Sequence, residues 1–218
     1  MKRIKRTKRK TPQAVFPWRI FIITGVAFAI GAVAAVAIQE RAREAKAYGG
    51  GGTGVGGPFS LLNQDGKRVT EKNFRGKYML VAFGYTYCPD ICPAELQVIS
   101  NTMDELGGTG DNIVPIFISV DPQRDTVQQM HDYVRNFHSR IVGLTGTVDE
   151  IKAAARSYRV YYKKETSPGG GGGSNYAVTH STFIYLMNPK GEYVTHFNYG
   201  VTSNEMVAKL KQIVKPSP

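Results

Sequence analysis

Tyr78-Met-Leu-Val-Ala-Phe-Gly-Tyr-Thr-Tyr-Cys-Pro-Asp-Ile-Cys-Pro-Ala-Glu-Leu96 decides how this chain folds, and both of its cysteines, Cys88 and Cys92, lie in it. Tyr78 to Phe83 is a continuous apolar run, the pattern of a strand buried on both faces. Beyond the cysteines, Leu96, Ile99, Met103 and Leu106 recur at spacings of three and four, which is one face of a helix. The cysteines therefore fall where a strand ends and a helix begins. Backbone N–H groups at a helix N-terminus present positive charge there and lower a thiol pKa. The i, i+4 spacing sets both sulfurs on one side of the first turn. Such a pair can hold a soft metal ion or close into a disulfide. Cys-x-x-x-Cys is one residue longer than the Cys-x-x-Cys of ordinary thioredoxin-like enzymes.

Outward from this stretch, the pattern alternates strands and helices. Phe59–Asn63 and Arg68–Thr70 read as a hairpin around Asp65-Gly66. Strand 78–84 and helix 91–107 follow, and Gly107-Gly108 stops that helix. Ile113–Val120 is a second buried strand. Val127, Met130, Val134 and Phe137 make a helix opened by a Thr126/Gln129 capping box. Ile141–Leu144 is a short strand. Thr147 and Glu150 form another capping box, opening a helix through Ile151, Ala155 and Tyr158, and Val160–Tyr162 is extended. After a glycine-rich loop, 167–174, Thr182–Met187 and Tyr193–Phe197 form an antiparallel pair turned by Asn188–Gly191. Thr202 and Glu205 cap a last helix. The order fits an α/β sandwich around a mixed sheet, and the cysteine position makes it thioredoxin-like.

Eight basic residues and no acid occupy residues 1–19, so most of the net charge of +11 belongs to a tail. That weakens a nucleic-acid reading of the basic balance, and no nucleic-acid partner is expected. Ile20 to Ile38 carries no charge; as a helix it rises roughly 28 Å, close to the hydrocarbon thickness of a bilayer. The chain thus divides into a basic cytoplasmic tail (1–16), an N-terminal transmembrane helix (17–39), a stem with a glycine-rich linker (40–57) and a folded domain (58–218). The positive flank stays inside, which places the domain outside the cytoplasm. A cleaved signal peptide has a shorter apolar core, and a mitochondrial presequence is amphipathic and Ser/Arg-rich. The favoured location is a single-pass anchor in a bacterial inner membrane, with the globular domain in the periplasm. The linker lacks the Gly-Lys-Ser/Thr ending of a phosphate loop.

A disulfide across so short a loop would stabilise little through chain entropy, so the cysteines read as chemical rather than structural. Two thiolates leave most metals short of ligands, and four histidines are candidates for a third. His131 and His138 belong to the helix that starts at Val127 and to its end. His196 lies on the strand face with Val194, opposite Tyr193. All three read as structural or solvated. His180 follows the glycine-rich loop and opens a strand; ligation and a purely structural role are both open to it. Thiolates with imidazole select copper or zinc, and the lack of a third cysteine argues against a four-ligand structural zinc site. Asp90, Asp121 and Asp125 read as turn and cap residues, Asp90 also being placed to tune the sulfurs. No Ser-His-Asp or paired-carboxylate arrangement points to a hydrolase.

Phe83–Leu96, Ser119-Val-Asp-Pro-Gln-Arg-Asp125 and His180-Ser-Thr-Phe-Ile-Tyr-Leu-Met187 together resemble the Sco/SenC family of membrane-tethered copper proteins. The resemblance covers about residues 57–214. It implies a thioredoxin-like fold and copper bound by Cys88, Cys92 and His180, as Cu(I) with Cu(II) a further state. It also implies a metallochaperone rather than an enzyme, building the CuA centre of cytochrome c oxidase. The partners would be the oxidase copper-binding subunit, a copper donor protein and the membrane crossed by the single span. Family members often carry Asp before the ligand histidine; here it is Thr179, and Gly169–Gly173 looks like a local expansion. Two other activities fit the cysteine pair: a thiol-disulfide oxidoreductase acting on cysteines of the oxidase subunit, and a peroxide-reactive thiol.

Overall fold

The computed structural model describes residues 54–165 and 176–214, with Gln39. The basic tail, the span at 17–39 but for Gln39, most of the linker and the Gly169–Gly173 run lie outside the described residues. Among the described residues no helix is long and apolar enough to cross a membrane.

A seven-stranded mixed sheet is built in the order β2-β1-β5-β4-β3-β8-β9. Its strands are β1 (Ser60–Asn63), β2 (Arg68–Thr70), β3 (Tyr78–Gly84), β4 (Ile113–Ser119), β5 (Val142–Thr145), β8 (Ile184–Met187) and β9 (Tyr193–Phe197). The three central strands run parallel: β3 pairs β4 from Tyr78/Ile113 to Gly84/Ser119, and β4 pairs β5. Strand β8 enters antiparallel to β3, and β9 to β8. The apolar runs that marked β3 and β4 are the centre of the core: Leu80, Val81, Phe83, Ile116, Phe117 and Ile118 are buried. Parallel strands covered on both faces need no polar alternation, and this is why the runs are continuous.

Among the described residues three α-helices lie between strands, α1 (Ile91–Leu106), α2 (Val127–Val134) and α3 (Val148–Ser157), and α4 (Ser203–Ile213) follows β9. Helix α1 buries Leu96, Ile99, Met103 and Leu106, the face its periodicity marked, and packs beside α4. The boxes Thr147/Glu150 and Thr202/Glu205 form at α3 and α4. The Thr126/Gln129 box is only half made. Thr126 accepts the Gln129 N–H, but the Gln129 side chain donates to Thr86 Oγ1 at 3.3 Å instead of turning back. Helix α2 also ends at Val134, so Phe137 and His138 lie past it, in the turn toward β5. The first hairpin turns at Gly66, whose φ of 74° suits a residue without Cβ, while Asn63 Oδ1 accepts the N–H groups of Asp65 and Lys67.

A separate two-stranded ribbon, β6 (Tyr162–Glu165) with β7 (Ala177–His180), flanks the glycine-rich segment. It corrects one reading: His180 does not open a strand but closes β7, opposite Tyr162, and β8 begins only at Ile184.

Candidate metal centre

Cys88, Cys92 and His180 meet where β3 gives way to α1. Their ligand atoms all lie within 4.8 Å of one another. The three come from a loop, a helix and a ribbon far apart in sequence, and each is held by a different device.

Helix α1 supplies the first device. Asp90 occupies its N-cap position yet makes no side-chain cap. The Cys88 sulfur does that work instead, accepting the Cys92 N–H at 3.4 Å. A helix N-terminus favours an anion, so this position selects the thiolate. Both cysteines are free thiols, and they differ in burial: Cys92 is fully enclosed and Cys88 half-buried. A hydrogen bond from the Cys92 side chain, against the cost of burial, holds Cys88 well below the usual thiol range. The same bond and its own burial push Cys92 up. One thiolate and one thiol therefore sit side by side at neutral pH.

This asymmetry is measurable. A depressed pKa leaves Cys88 ionised as pH falls through the ordinary thiol range near 8.5. Alkylation by iodoacetamide at pH 6 should label Cys88 rapidly and Cys92 scarcely. The result is read by mass spectrometry; equal labelling of both, or a rate that falls about tenfold per pH unit below 8, contradicts the assignment.

Gly84 ends β3 beneath the sulfurs. A Cβ placed there would lie 2.8 Å from Cys92 Sγ and 2.7 Å from Phe117 Cε2, so the close approach requires glycine. Gly84→Ala should cost about 1–3 kcal/mol by overpacking and displace the Cys92 sulfur. Thermal unfolding together with the rate of Cys92 alkylation checks this; an unchanged melting temperature and unchanged reactivity contradict it.

The second device is the Asp121–Asp125 loop. Asp125 is buried completely. It accepts the Thr86 N–H at 3.1 Å, the Thr86 hydroxyl at 2.7 Å and the Ser119 hydroxyl at 2.6 Å, clamping the Tyr85–Cys88 loop to the end of β4. Burial pushes its carboxyl up and those hydrogen bonds oppose the shift. Arg124 pairs with Asp121 and donates to the Tyr176 carbonyl at 3.0 Å. Its guanidinium lies 3.7 Å from the centroid of Tyr176, 4.8 Å from Tyr87 and 5.5 Å from Tyr85. One cation thus ties the aromatic residues before Cys88 to the residue that leads into β7, and so to His180. Tyr176 donates its hydroxyl to Asp121 at 2.6 Å. Asp121 and Asp125 are thus more than turn residues.

His180 is the third device. Its Nε2 lies 3.4 Å from Cys92 Sγ, and its Nδ1 lies 2.9 Å from the Ser181 carbonyl. A carbonyl only accepts, so Nδ1 carries a proton toward it, and Nε2 is the nitrogen that faces the sulfur. The ring stands edge-on to Tyr85 at 6.0 Å. Burial by itself pushes the imidazole down; the Cys88 thiolate, the Ser181 carbonyl and Glu95 outweigh it, and the net shift is up. Thr179 makes no hydrogen bond to this ring. Ser181 provides the orienting contact that an acidic neighbour would otherwise give.

The other histidines stand apart. His131 is half-exposed, 3.9 Å from Asp65, and His138 lies 3.6 Å from Asp104 and accepts the Arg140 N–H. His196 bonds the Tyr193 hydroxyl at 2.6 Å. That contact corrects the alternation reading: a register shift between Leu186 and Met187 brings Tyr193 and His196 together. Glu95, inside the quoted motif but given no role there, is buried on α1 three residues beyond Cys92. Its signal was available, an acid at a core-facing helical position.

Two sulfurs and one imidazole nitrogen, one sulfur already ionised, form a soft donor set of three with room for exchange. The chain matches the family model described as SCO1/SenC over residues 49–215. It is 48% identical over 170 residues to SCO1 homolog 1, mitochondrial, of Arabidopsis thaliana, which covers 76% of this chain and 50% of that protein. The chain spans about half the length of the curated relatives it matches. The crystal structure of Arabidopsis thaliana ScoI with copper bound is 47% identical, with a TM-score of 0.67, covering 73% of this chain and 98% of that one. The structure of Bradyrhizobium japonicum ScoI with copper bound is 43% identical with the same TM-score, covering 73% and 99%. The thioredoxin-like α/β fold is shared with these neighbours.

Proposed function

Since the chain belongs to the SCO1/SenC family, we propose that it is a copper carrier that assembles the CuA centre of cytochrome c oxidase, with copper as its cargo. The observation that carries this reading is the convergence of Cys88, Cys92 and His180 within 4.8 Å. A relative 25% identical is described as a member of the Sco family of cytochrome c oxidase assembly proteins. Cys88 and Cys92 hold the ion by their sulfurs and His180 by Nε2. Three ligands satisfy Cu(I) while leaving it open to attack by an incoming sulfur or nitrogen of the acceptor subunit. Release then proceeds by ligand exchange, without a free ion. The basic tail and the uncharged stretch 20–38 support a single-span anchor that leaves the folded domain on the far side of a bacterial inner membrane. A copper donor protein loads the site there.

The test uses the full chain loaded with one equivalent of Cu(I) and mixed with the copper-free CuA-binding domain of an oxidase. After separation, copper should be found on the oxidase domain. Copper that stays on the chain, or moves equally fast from a Cys88→Ser variant, contradicts the proposal.

One observation favours a second reading. A low-pKa, half-exposed Cys88 beside a buried, protonated Cys92 is the pairing of an attacking and a resolving thiol. The description of that same relative names a disulfide switch. In this reading Cys88 attacks a disulfide on the oxidase subunit, and Cys92 then closes on Cys88, releasing the reduced partner. Reduction of an oxidised CuA domain by copper-free chain supports it; no reaction counts against it.

A further inference from the structure

Glu95 sits one turn along α1 from Cys92 and is only 7% exposed. Its Oε1 has no hydrogen-bond partner. A buried polar atom left without a partner is costly, by about 1–3 kcal/mol and more when charged, so such an atom calls for a physical explanation. Beside it opens a cavity of about 210 Å³. Its walls are Ala94 and Val98 of α1, Ile184 of β8, and Asn198, Tyr199 and Val201 of the turn before α4. Among the described residues no lysine, arginine or histidine lines it. The site therefore offers one acidic group behind walls that are apolar but for the neutral Asn198, with Tyr199, 56% exposed, at its rim.

Largely apolar walls with a single anion suit one kind of guest: a long aliphatic stem tipped by a cation. A free inorganic cation would gain nothing from the walls, and an apolar side chain would leave the Glu95 oxygen unsatisfied. We propose that this pocket receives a single basic side chain, lysine or arginine, from a protein that docks at the metal face, and that Glu95 is its counter-ion. Burial pushes the Glu95 carboxyl up to about 7, with His180 pulling it back, so an arriving cation would fix it as the carboxylate.

The test uses the full, copper-free chain, labelled with nitrogen-15, so that it stands or falls apart from copper binding. The probes are a capped Gly-Gly-Lys-Gly-Gly peptide and its norleucine counterpart, which has the stem but no charge. The lysine peptide should give saturable shifts at the amides of residues 94–98 and 198–201, with affinity about tenfold or more above that of the norleucine peptide. Glu95→Gln should abolish the difference. Ala94→Leu, at an exposed position on the rim, should weaken both peptides while leaving Glu95 in place. Equal binding of the two peptides, no saturable shift, or full lysine affinity in Glu95→Gln would overturn the assignment.

Discussion

Cys88→Ser is expected to lower copper affinity by more than about 100-fold, beyond the 10–100-fold loss typical of residues that only orient a ligand. Cys88 is half-buried and caps α1 with its sulfur, and serine can accept the same N–H, so the fold should survive. The loss is therefore a loss of ligand. Cys92→Ser should lose as much, but it also leaves a hydroxyl in a fully enclosed apolar place, so its folded fraction must be measured alongside. The pH dependence follows from the two thiols. Cys88 is already ionised at neutral pH, whereas Cys92, pushed up by its bond to Cys88 and by burial, gives up its proton when the metal binds. Between pH 7 and 8 affinity should rise about tenfold per pH unit, the signature of one proton released. A rise of about a hundredfold per unit would mean that a second group, Cys88 or His180, also sheds a proton on binding. Competition against a copper-binding chelator at several pH values measures this.

His180→Ala should lower copper affinity about 100-fold or more while leaving the thiol pair able to oxidise. Nε2 stands 3.4 Å from Cys92 Sγ and the Ser181 carbonyl holds Nδ1 on the other side, so the ring already faces the sulfurs. Removing it leaves two sulfurs and no third donor among the described residues. The variant also separates the two functional readings. Copper transfer should fail, whereas reduction of a disulfide on the partner, which needs only Cys88 and Cys92, should persist. The chelator competition and a disulfide-exchange assay on the same sample give the answer. Unchanged copper affinity would remove His180 from the site.

Much of the architecture was legible because it is local. An apolar run followed by a three-four repeat fixes β3 and α1 from neighbours in the chain, and the cysteines fall at their junction whatever the rest does. The boxes at Thr147 and Thr202 are equally local. What stayed hidden depends on distant partners. Strand β6, Tyr162-Lys-Lys-Glu165, is polar and largely exposed, so no hydrophobic alternation marks it. Its pairing with β7 places His180 at a strand end rather than a strand start. Gln129 abandons its box because Thr86 comes within reach only after β3 and α2 are assembled. Asp125 looks like a turn residue until the Thr86 and Ser119 hydroxyls close on it. The His196 contact needs a bulge that no local pattern announces.

Of the site, the cysteine pair could be read from spacing. Its place after the glycine-rich loop set His180 apart among four histidines and family resemblance implied its ligand role; the structure brings it to the sulfurs through the Arg124 stack that carries Tyr176 and β7 toward them and the Ser181 carbonyl that turns Nε2 inward.

The most direct measurement is X-ray absorption at the copper edge on the full chain loaded with one equivalent of Cu(I). The account predicts two sulfur ligands and one nitrogen ligand, the nitrogen vanishing in His180→Ala and one sulfur in Cys88→Ser. A site with no nitrogen in the unmodified chain, or one whose ligand count is the same in both variants, would contradict it.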